Sequence, residues 1–264
     1  MKKFGLALGG GGAKGICHIA FLKVIDELGI TPAVISGTSI GAIIGGFYSA
    51  GVSGLEIEQE LEDLGLLDVY RMAMDFSVFS QSAILKGKGV EEYLMKKIPV
   101  GTFEELSLPL KVVATDFWNR RQVVFESGDL GTALRASMAM PGIFEPVVMD
   151  RTVLVDGGAV NPLPYDLIQP ECDFTIAIDV SGEKAYSEDD PVPNMVENIL
   201  STFQIMQAAI LKAKMKLSPP DLYVKPSLTN IRVLDFHRHK EILDGVREDA
   251  AEFRMSLEKL MDKA

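Results

Sequence analysis

Short apolar runs alternate with helical patterns over the first 50 residues of the chain. Phe4 to Leu8 predicts a buried strand, and the apolar side chains that follow at helical spacing predict a helix capped by Gly29. Ala33 to Ser36 predicts a second strand, and Ile40 to Ala50 predicts a second helix that ends at Gly51. A strand–helix–strand–helix order over so few residues favours a parallel sheet with right-handed crossovers.

The alternation continues less regularly towards the C-terminus. Further helices are predicted at Gly54 to Leu66, Val90 to Lys97, Leu130 to Met138, Met195 to Leu217 and His239 to Lys263. Further strands are predicted at Leu110 to Thr115, Gln122 to Phe125, Val153 to Val155 and Phe174 to Val180. We expect one domain over residues 1–264, with a motif-bearing core at about 4–165 and a remainder, 166–264, that completes the sheet and adds a helical flank.

Composition and charge narrow the class of protein. The apolar fraction of 47% and the aromatic fraction of 8% are those of a folded chain. The formal net charge of −11 argues against a nucleic-acid partner and against bulk attraction to anionic lipid. Cys17 and Cys172 are too few for a disulfide framework or a cysteine-rich zinc site, so a cytoplasmic location is expected. No run of 18 apolar residues predicts a membrane span.

The segment Gly37-Thr38-Ser39-Ile40-Gly41 has the G-x-S-x-G pattern of a nucleophile elbow. In such a strand–turn–helix the residues two before and two after the serine approach closely, so Gly37 and Gly41 avoid a clash. The Ser39 hydroxyl is then expected at a helix N-terminus, where N–H groups favour negative charge. The strand pattern before it and the helical pattern after it favour a nucleophile over a chance turn.

A glycine row, Gly9 to Gly12, follows the first predicted strand, and Gly15 lies just beyond it. Backbone N–H groups with no side chains in front of them suit an oxyanion, so we expect the oxyanion hole at Gly10, Gly11 and Gly12. Lys14 either supports this loop, assists the anion or is a solvated lysine at the start of the helix.

The same glycines also allow a competing interpretation as a dinucleotide-binding loop. Gly10, Gly12 and Gly15 match the G-x-G-x-x-G fingerprint. That site needs an acidic residue at the end of the next strand to hold the ribose, and this chain has Ser36 and Gly37 there. The sequence therefore favours an oxyanion loop, and no cofactor or metal is expected.

Asp156 is the candidate proton acceptor. It ends the apolar run Val153 to Val155 and is followed by Gly157 and Gly158, which suggests a position at the C-terminal edge of the sheet. A carboxylate is a weak base in water, but desolvation raises its pKa and makes proton transfer from serine feasible. Asp-Gly is also a common turn pair, so the signal is weak by itself.

A histidine base is the alternative, because the chain has three histidines. The order Ser39, Asp156, then His237 or His239 matches the triad order of the α/β-hydrolases. Both of those histidines lie in a polar helix start, which favours surface positions, and His18 lies on the first helix as an exposed or packed side chain.

Taken together and in this order, the motifs resemble the patatin-like phospholipase family. The resemblance is carried by the glycine loop from Gly10 to Gly15, the Ser39 elbow, Asp156-Gly157-Gly158, Ala114-Thr115-Asp116, and Arg135-Ala136-Ser137-Met138-Ala139-Met140-Pro141-Gly142-Ile143-Phe144. It covers about residues 4 to 165. The resemblance implies a three-layer α/β/α sandwich with a mainly parallel central sheet, and a Ser39–Asp156 dyad with an oxyanion hole at Gly10 to Gly12.

The expected function is that of a serine acyl hydrolase of the lipase or phospholipase A type, which cleaves carboxylic esters of lipids. A non-lipid esterase or thioesterase with the same two residues, and a catalytically silent adaptor that binds lipid or protein, remain open. The net charge of −11 means that any peripheral membrane contact must come from local apolar surface. Val69 to Leu85, which is either core or a cover over the site, is the first candidate, and the helix Met195 to Leu217 is the second.

Overall fold

The computed structural model describes residues 2–63, 83–183 and 192–262 as a central sheet flanked by helices. The described strands are β1 (Phe4–Leu8), β2 (Val34–Thr38), β3 (Ala83–Leu85), β4 (Leu110–Asp116), β5 (Arg121–Phe125), β6 (Gly142–Phe144), β7 (Val147–Met149), β8 (Thr152–Asp156), β9 (Phe174–Ile178) and β10 (Leu222–Val224). The described α-helices are α1 (His18–Glu27), α2 (Ile40–Ser49), α3 (Gly54–Glu62), α4 (Lys88–Lys97), α5 (Leu130–Ser137), α6 (Met195–Leu217), α7 (His239–Gly245) and α8 (Arg247–Asp262).

The main sheet has the order β10–β9–β1–β2–β4–β8–β7, and β5 also pairs with β4. The pairs from β10 to β4 are parallel, whereas β5, β8 and β7 join by antiparallel pairing. Strands β3 and β6 form a separate parallel pair. The predicted mainly parallel sheet is therefore confirmed, with an antiparallel extension at one side.

Helices cover both faces of the sheet. On β1, Leu6 and Leu8 belong to a large core shared with α1, α2 and α8, while Ala7 between them belongs to a second core on the opposite face. Alternate strand residues point to opposite faces, so this division shows a layer on each side. Leu211 of α6 packs in the second core. The predicted three-layer α/β/α arrangement is confirmed.

The C-terminal part contributes to the same large core. Ile242, Val246, Phe253 and Leu257 are fully buried in it or nearly so, and the Phe253 ring packs edge-on against the ring of Phe21. The single helix predicted from residue 239 is in fact two, α7 and α8. They are separated at Val246, which has a non-helical ψ of 14° and is completely buried.

Some predicted elements differ in extent. Strand β2 continues to Thr38, and a 3₁₀ helix, Gly12–Cys17, precedes α1. The short strands β6, β7 and β10 have three residues each, too few to show a period in the sequence. The unpatterned segment from Val69 lies outside the described residues as far as residue 82.

In the described ranges no single helix is long and apolar enough to cross a bilayer. One sharply bent pair, α2 with α3, has the length and composition of a membrane span, and this is judged from length and composition alone.

Candidate active site

Ser39 lies between β2 and α2 in a strained backbone conformation, with φ 56° and ψ −123°. A side chain at Gly41 would collide with the carbonyl of Leu8, and one at Gly37 would come within 2.6 Å of the Gly41 carbonyl. The local turn therefore requires glycine at both positions, as the G-x-S-x-G pattern predicts. The first N–H groups of α2 have no intrahelical partner and favour negative charge beside Ser39.

Two N–H groups of the glycine loop are hydrogen-bonded to neighbouring backbone, and two are not. The N–H of Gly9 donates to the Ile178 carbonyl at 3.0 Å, and that of Gly10 donates to the Pro162 carbonyl at 2.9 Å. Within the described parts of the chain, the N–H groups of Gly11 and Gly12 have no hydrogen-bond partner. Of the three glycines predicted for the oxyanion hole, two thus have available donors, while the N–H of Gly10 is engaged elsewhere.

The glycine loop is held close to neighbouring backbone. A Cβ at Gly11 would lie 2.5 Å from the Val180 carbonyl oxygen, and a Cβ at Gly12 would collide with the Val233 carbonyl. Gly12 also has a φ of +61°, a conformation that side chains rarely adopt. The neighbouring N–H of Ala13 donates to the Val233 carbonyl at 2.8 Å, which fixes the far end of the loop.

Two buried ionisable side chains lie behind the loop. His18 is completely buried, and its Nε2 lies 2.9 Å from the carbonyl oxygen of Gly9, so that this nitrogen donates. Burial lowers the pKa of His18 to about 4, so the imidazole is neutral near pH 7. Lys14 is only 4% exposed, so the solvated-lysine interpretation was wrong. Burial lowers the pKa of Lys14 to about 8, although the nearby Asp179 carboxylate opposes the shift.

Strand register brings Asp156 to the end of β2. Thr38, the last residue of β2, pairs with Val113, and Asp156, the last residue of β8, pairs with the next residue, Ala114. Strands β2 and β8 pair with the same edge of β4, one after the other along it, because β5 pairs with the opposite edge. The sequence analysis placed Asp156 at the C-terminal edge of the sheet without assigning a strand direction. In the structure β8 is antiparallel to β4, and its C-terminal end meets the C-terminal end of β2.

The Asp156 carboxyl is completely buried. Its Oδ1 accepts a hydrogen bond from the N–H of Gly158 at 2.7 Å. Its Oδ2 has no partner of normal hydrogen-bond geometry among the described residues, while the Ser39 hydroxyl lies close enough to lower the pKa. Burial outweighs the Gly158 hydrogen bond and the nearby Ser39 hydroxyl and raises the pKa of Asp156 to about 6. The carboxylate is thus a stronger base than in water, with one oxygen available.

One short segment anchors both residues of this pair, and sequence reasoning did not single it out. The N–H of Ser39 donates to the hydroxyl of Ser137 at 2.8 Å. The N–H of Asp156 donates to the carbonyl of Ala139 at 3.0 Å. Ser137 is completely buried at the end of α5. This segment contributed only to the family resemblance, and the available signal was a serine hydroxyl two residues after Arg135 at the end of the predicted helix.

Gln207 of α6 is a second residue that the sequence analysis missed. It is buried, and a Cβ at Gly158 would lie 1.9 Å from its Nε2 and 2.9 Å from Oδ1 of Asp156. The amide of Gln207 therefore lies directly against the turn that carries Asp156. Its signal in the sequence was weak, because glutamine within an uncharged helical stretch is equally compatible with the surface.

The three histidines all lie in described ranges, and none of them forms a hydrogen bond with Ser39 or Asp156. His237 is exposed and His239 is half-buried at the start of α7.

A cavity of about 400 Å³ lies between α6 and the ends of β9 and β10, with Asp179, Leu211 and Tyr223 in its lining, and it does not include Ser39. The candidate site is therefore formed by the Ser39 elbow, the glycine loop and the Asp156 turn.

These features define a three-layer α/β protein with a serine on a nucleophile elbow, a glycine loop with free N–H groups and a buried carboxylate. The patatin-like phospholipase family model matches residues 6–168, and the chain belongs to this family. The resemblance seen in the motifs is thereby confirmed.

Individual relatives agree with this membership. An uncharacterized NTE family protein of Mycobacterium tuberculosis is 34% identical over 197 residues, which cover 74% of this chain and 54% of the relative. The lysophospholipase NTE1 of Saccharomyces cerevisiae is 26% identical over 266 residues, which cover 91% of this chain and 16% of that protein. The chain thus spans about half of the mycobacterial relative and less than a fifth of the yeast protein.

A solved structure shares the fold. The crystal structure of VipD from Legionella pneumophila matches with a TM-score of 0.54 and 13% identity, over 97% of this chain and 67% of that one.

Proposed function

We propose that this chain is a serine acyl hydrolase that cleaves carboxylic esters of lipids, with Ser39 as nucleophile and Asp156 as proton acceptor. The observation that carries the proposal is the juxtaposition of a strained elbow serine and a buried carboxylate whose pKa is raised to about 6. Membership of the patatin-like phospholipase family and the lysophospholipase name of the yeast relative favour a lipid substrate over other esters.

In the proposed reaction the Ser39 hydroxyl attacks the acyl carbonyl carbon, and its proton passes to the free Oδ2 of Asp156. The N–H groups of Gly11 and Gly12 stabilise the oxyanion that develops. The protonated Asp156 then returns the proton to the departing alcohol, which leaves an acyl group on Ser39. A water molecule deprotonated by Asp156 attacks this ester, and the fatty acid departs as Ser39 regains its proton.

Three residues are proposed to position this machinery. Ser137 holds the backbone of the nucleophile, and His18 holds the carbonyl of Gly9 at the start of the oxyanion loop. Lys14 supports the same loop from behind, where its charge balances the buried carboxylate of Asp179. We further propose that the described ranges act as one domain, since α7 and α8 complete the core beneath the glycine loop.

The decisive experiment is labelling with a fluorophosphonate probe, which reacts with activated serines. We expect the wild-type chain to be labelled and Ser39→Ala not to be. Hydrolysis is then compared on phospholipid or lysophospholipid vesicles and on short soluble esters and thioesters. Activity on the soluble compounds alone indicates a non-lipid esterase, and absence of both labelling and hydrolysis indicates a silent adaptor.

A further inference from the structure

Helix α6 presents an apolar outer face to solvent. Residues 198–211 are a run of fourteen without any charged side chain. The exposed fractions along the helix are 76% for Met195, 54% for Ile199, 69% for Ile205 and 58% for Met206. Large apolar side chains concentrated on one face of a helix differ from the isolated exposed residues that any protein carries.

The opposite face of α6 is firmly packed, so the outer face is not a sign of a loosely held helix. Leu200 and Phe203 pack against a cluster that includes Met140 and Val233. Leu211 is buried in the second core. Near the C-terminal end, Lys214 Nζ donates to Oδ1 of Asn161 at 2.7 Å, lies 2.5 Å from Oδ1 of Asp166, and is 4.3 Å from the Tyr165 ring centroid.

Helix α6 contacts the candidate active site with the face opposite its apolar outer face. Gln207 reaches inward to the Asp156–Gly158 turn, and the exposed Met206 immediately precedes it. The same helix thus contacts the site with one face and solvent with the other.

The distribution of charged residues along α6 indicates which partner this face would bind. After Glu197, α6 carries no acidic residue, and the exposed Lys212 and Lys216 follow the uncharged run. In a bilayer the apolar acyl chains lie below the charged phosphate groups. An apolar helix face suits the acyl chains, and lysines at the end of that helix suit the phosphates. A second copy of this chain is disfavoured as the occupant, because it would bring another formal net charge of −11 against the first.

We propose that Met195, Ile199, Ile205, Met206, Lys212 and Lys216 form the surface that docks this chain on a phospholipid bilayer. The apolar side chains enter the interface, and the lysines contact lipid phosphates. This inference rests on the proposed function, because docking there brings the helix that contacts the Asp156–Gly158 turn to the surface that holds the proposed substrate. The proposed contact is α6, the second candidate of the sequence analysis; Val69 to Leu85, the first candidate, lies outside the described residues as far as residue 82.

The test measures binding of the full chain to phosphatidylcholine vesicles, with and without phosphatidylglycerol, by co-sedimentation. Ser39→Ala is used as background so that the vesicles stay intact. Ile205→Ser with Met206→Ser should weaken binding about tenfold or more, because both side chains lose apolar contact. The matched control is Leu55→Ser with Met255→Ser, which changes two side chains of similar exposure, 53% and 52%, on other helices.

A second pair of variants tests the lysines. Lys212→Glu with Lys216→Glu should reduce binding to phosphatidylglycerol vesicles about tenfold, and less on phosphatidylcholine alone. Lys240→Glu with Lys259→Glu makes the same charge change at exposed positions of α7 and α8 and should leave binding unchanged.

Soluble-ester hydrolysis and melting temperature, measured with Ser39 intact, separate docking from folding and from chemistry. We expect the Ile205 and Met206 double variant to keep its hydrolysis of a p-nitrophenyl ester and its melting temperature. The proposal is overturned if this variant binds vesicles as well as its control, or if the wild-type chain is a dimer that the variant dissociates. If the wild-type chain hydrolyses the soluble ester but does not bind vesicles, only the docking proposal is contradicted. If it binds vesicles but hydrolyses no ester, only the proposed function is contradicted.

Discussion

The backbone N–H of Ser39 donates a hydrogen bond of 2.8 Å to the buried hydroxyl of Ser137, nearly a hundred positions further along the chain. The same segment accepts the N–H of Asp156 at the carbonyl of Ala139. The end of α5 therefore fixes both members of the pair relative to each other. This arrangement suits a reaction in which a small displacement of either group is costly.

Replacing Ser137 tests this relationship. Ser137→Ala should lower kcat about tenfold with little change in KM, because the hydroxyl positions the backbone of the proposed nucleophile. Ser137→Thr keeps the acceptor and should restore much of the activity. Steady-state kinetics on a soluble ester measure both effects, and equal loss in the two variants would point to packing instead.

Replacing Asp156 tests its assignment as the base. Asp156→Asn removes the proton acceptor and should reduce kcat by at least about 100-fold, the scale of general-base catalysis. His237→Gln and His239→Gln are the controls and should keep most of the activity, since neither side chain contacts Ser39 or Asp156. A comparable loss in either histidine variant would support a triad instead.

The pH dependence of kcat/KM should report the titration of Asp156. Only the carboxylate accepts a proton, and burial raises the pKa of Asp156 to about 6. Activity should therefore rise with pH through about 6 and level off before Lys14, with a pKa of about 8, begins to titrate. A midpoint near the ordinary aspartate pKa of about 3.9 would contradict the buried-base assignment.

Variants at two neighbouring glycines test the proposed oxyanion donors. Gly11→Ala should strongly lower kcat with KM little changed, because its Cβ would lie 2.5 Å from the Val180 carbonyl and displace the free N–H groups. Gly10→Ala is the milder change, since its Cβ meets nothing closer than 3.4 Å and its N–H already bonds to Pro162. A rise in KM with constant kcat for Gly11→Ala would assign the loop to ground-state binding.

A carboxylate at position 207 should perturb Asp156 directly. Gln207→Glu places a second acidic group against the Asp156–Gly158 turn, and two neighbouring carboxylates raise each other's pKa. The midpoint of the kcat/KM profile should then move above 6. Gln204→Glu makes the same change on a less buried part of α6 and should leave the midpoint in place. An unmoved midpoint in the Gln207 variant would show that the amide does not face Asp156.

The sequence by itself determined those features that depend on a few contiguous residues. The Ser39 elbow follows from Gly37 and Gly41, because no other residue fits where the turn approaches the backbone of its neighbours. The glycine loop and the first strands and helices were likewise predictable, since local backbone geometry and short-range periodicity define them.

Only the tertiary structure decided which distant groups meet at Ser39. Asp156 arrives there because β8 runs antiparallel along the edge of β4 where β2 ends, a register set by the whole sheet. Ser137, the inward face of Gln207 and the burial of Lys14 depend on the same long-range packing. A turn is specified by neighbours in sequence, whereas a contact between strands or helices is specified by the combined packing of side chains far apart in the chain, which no short pattern encodes.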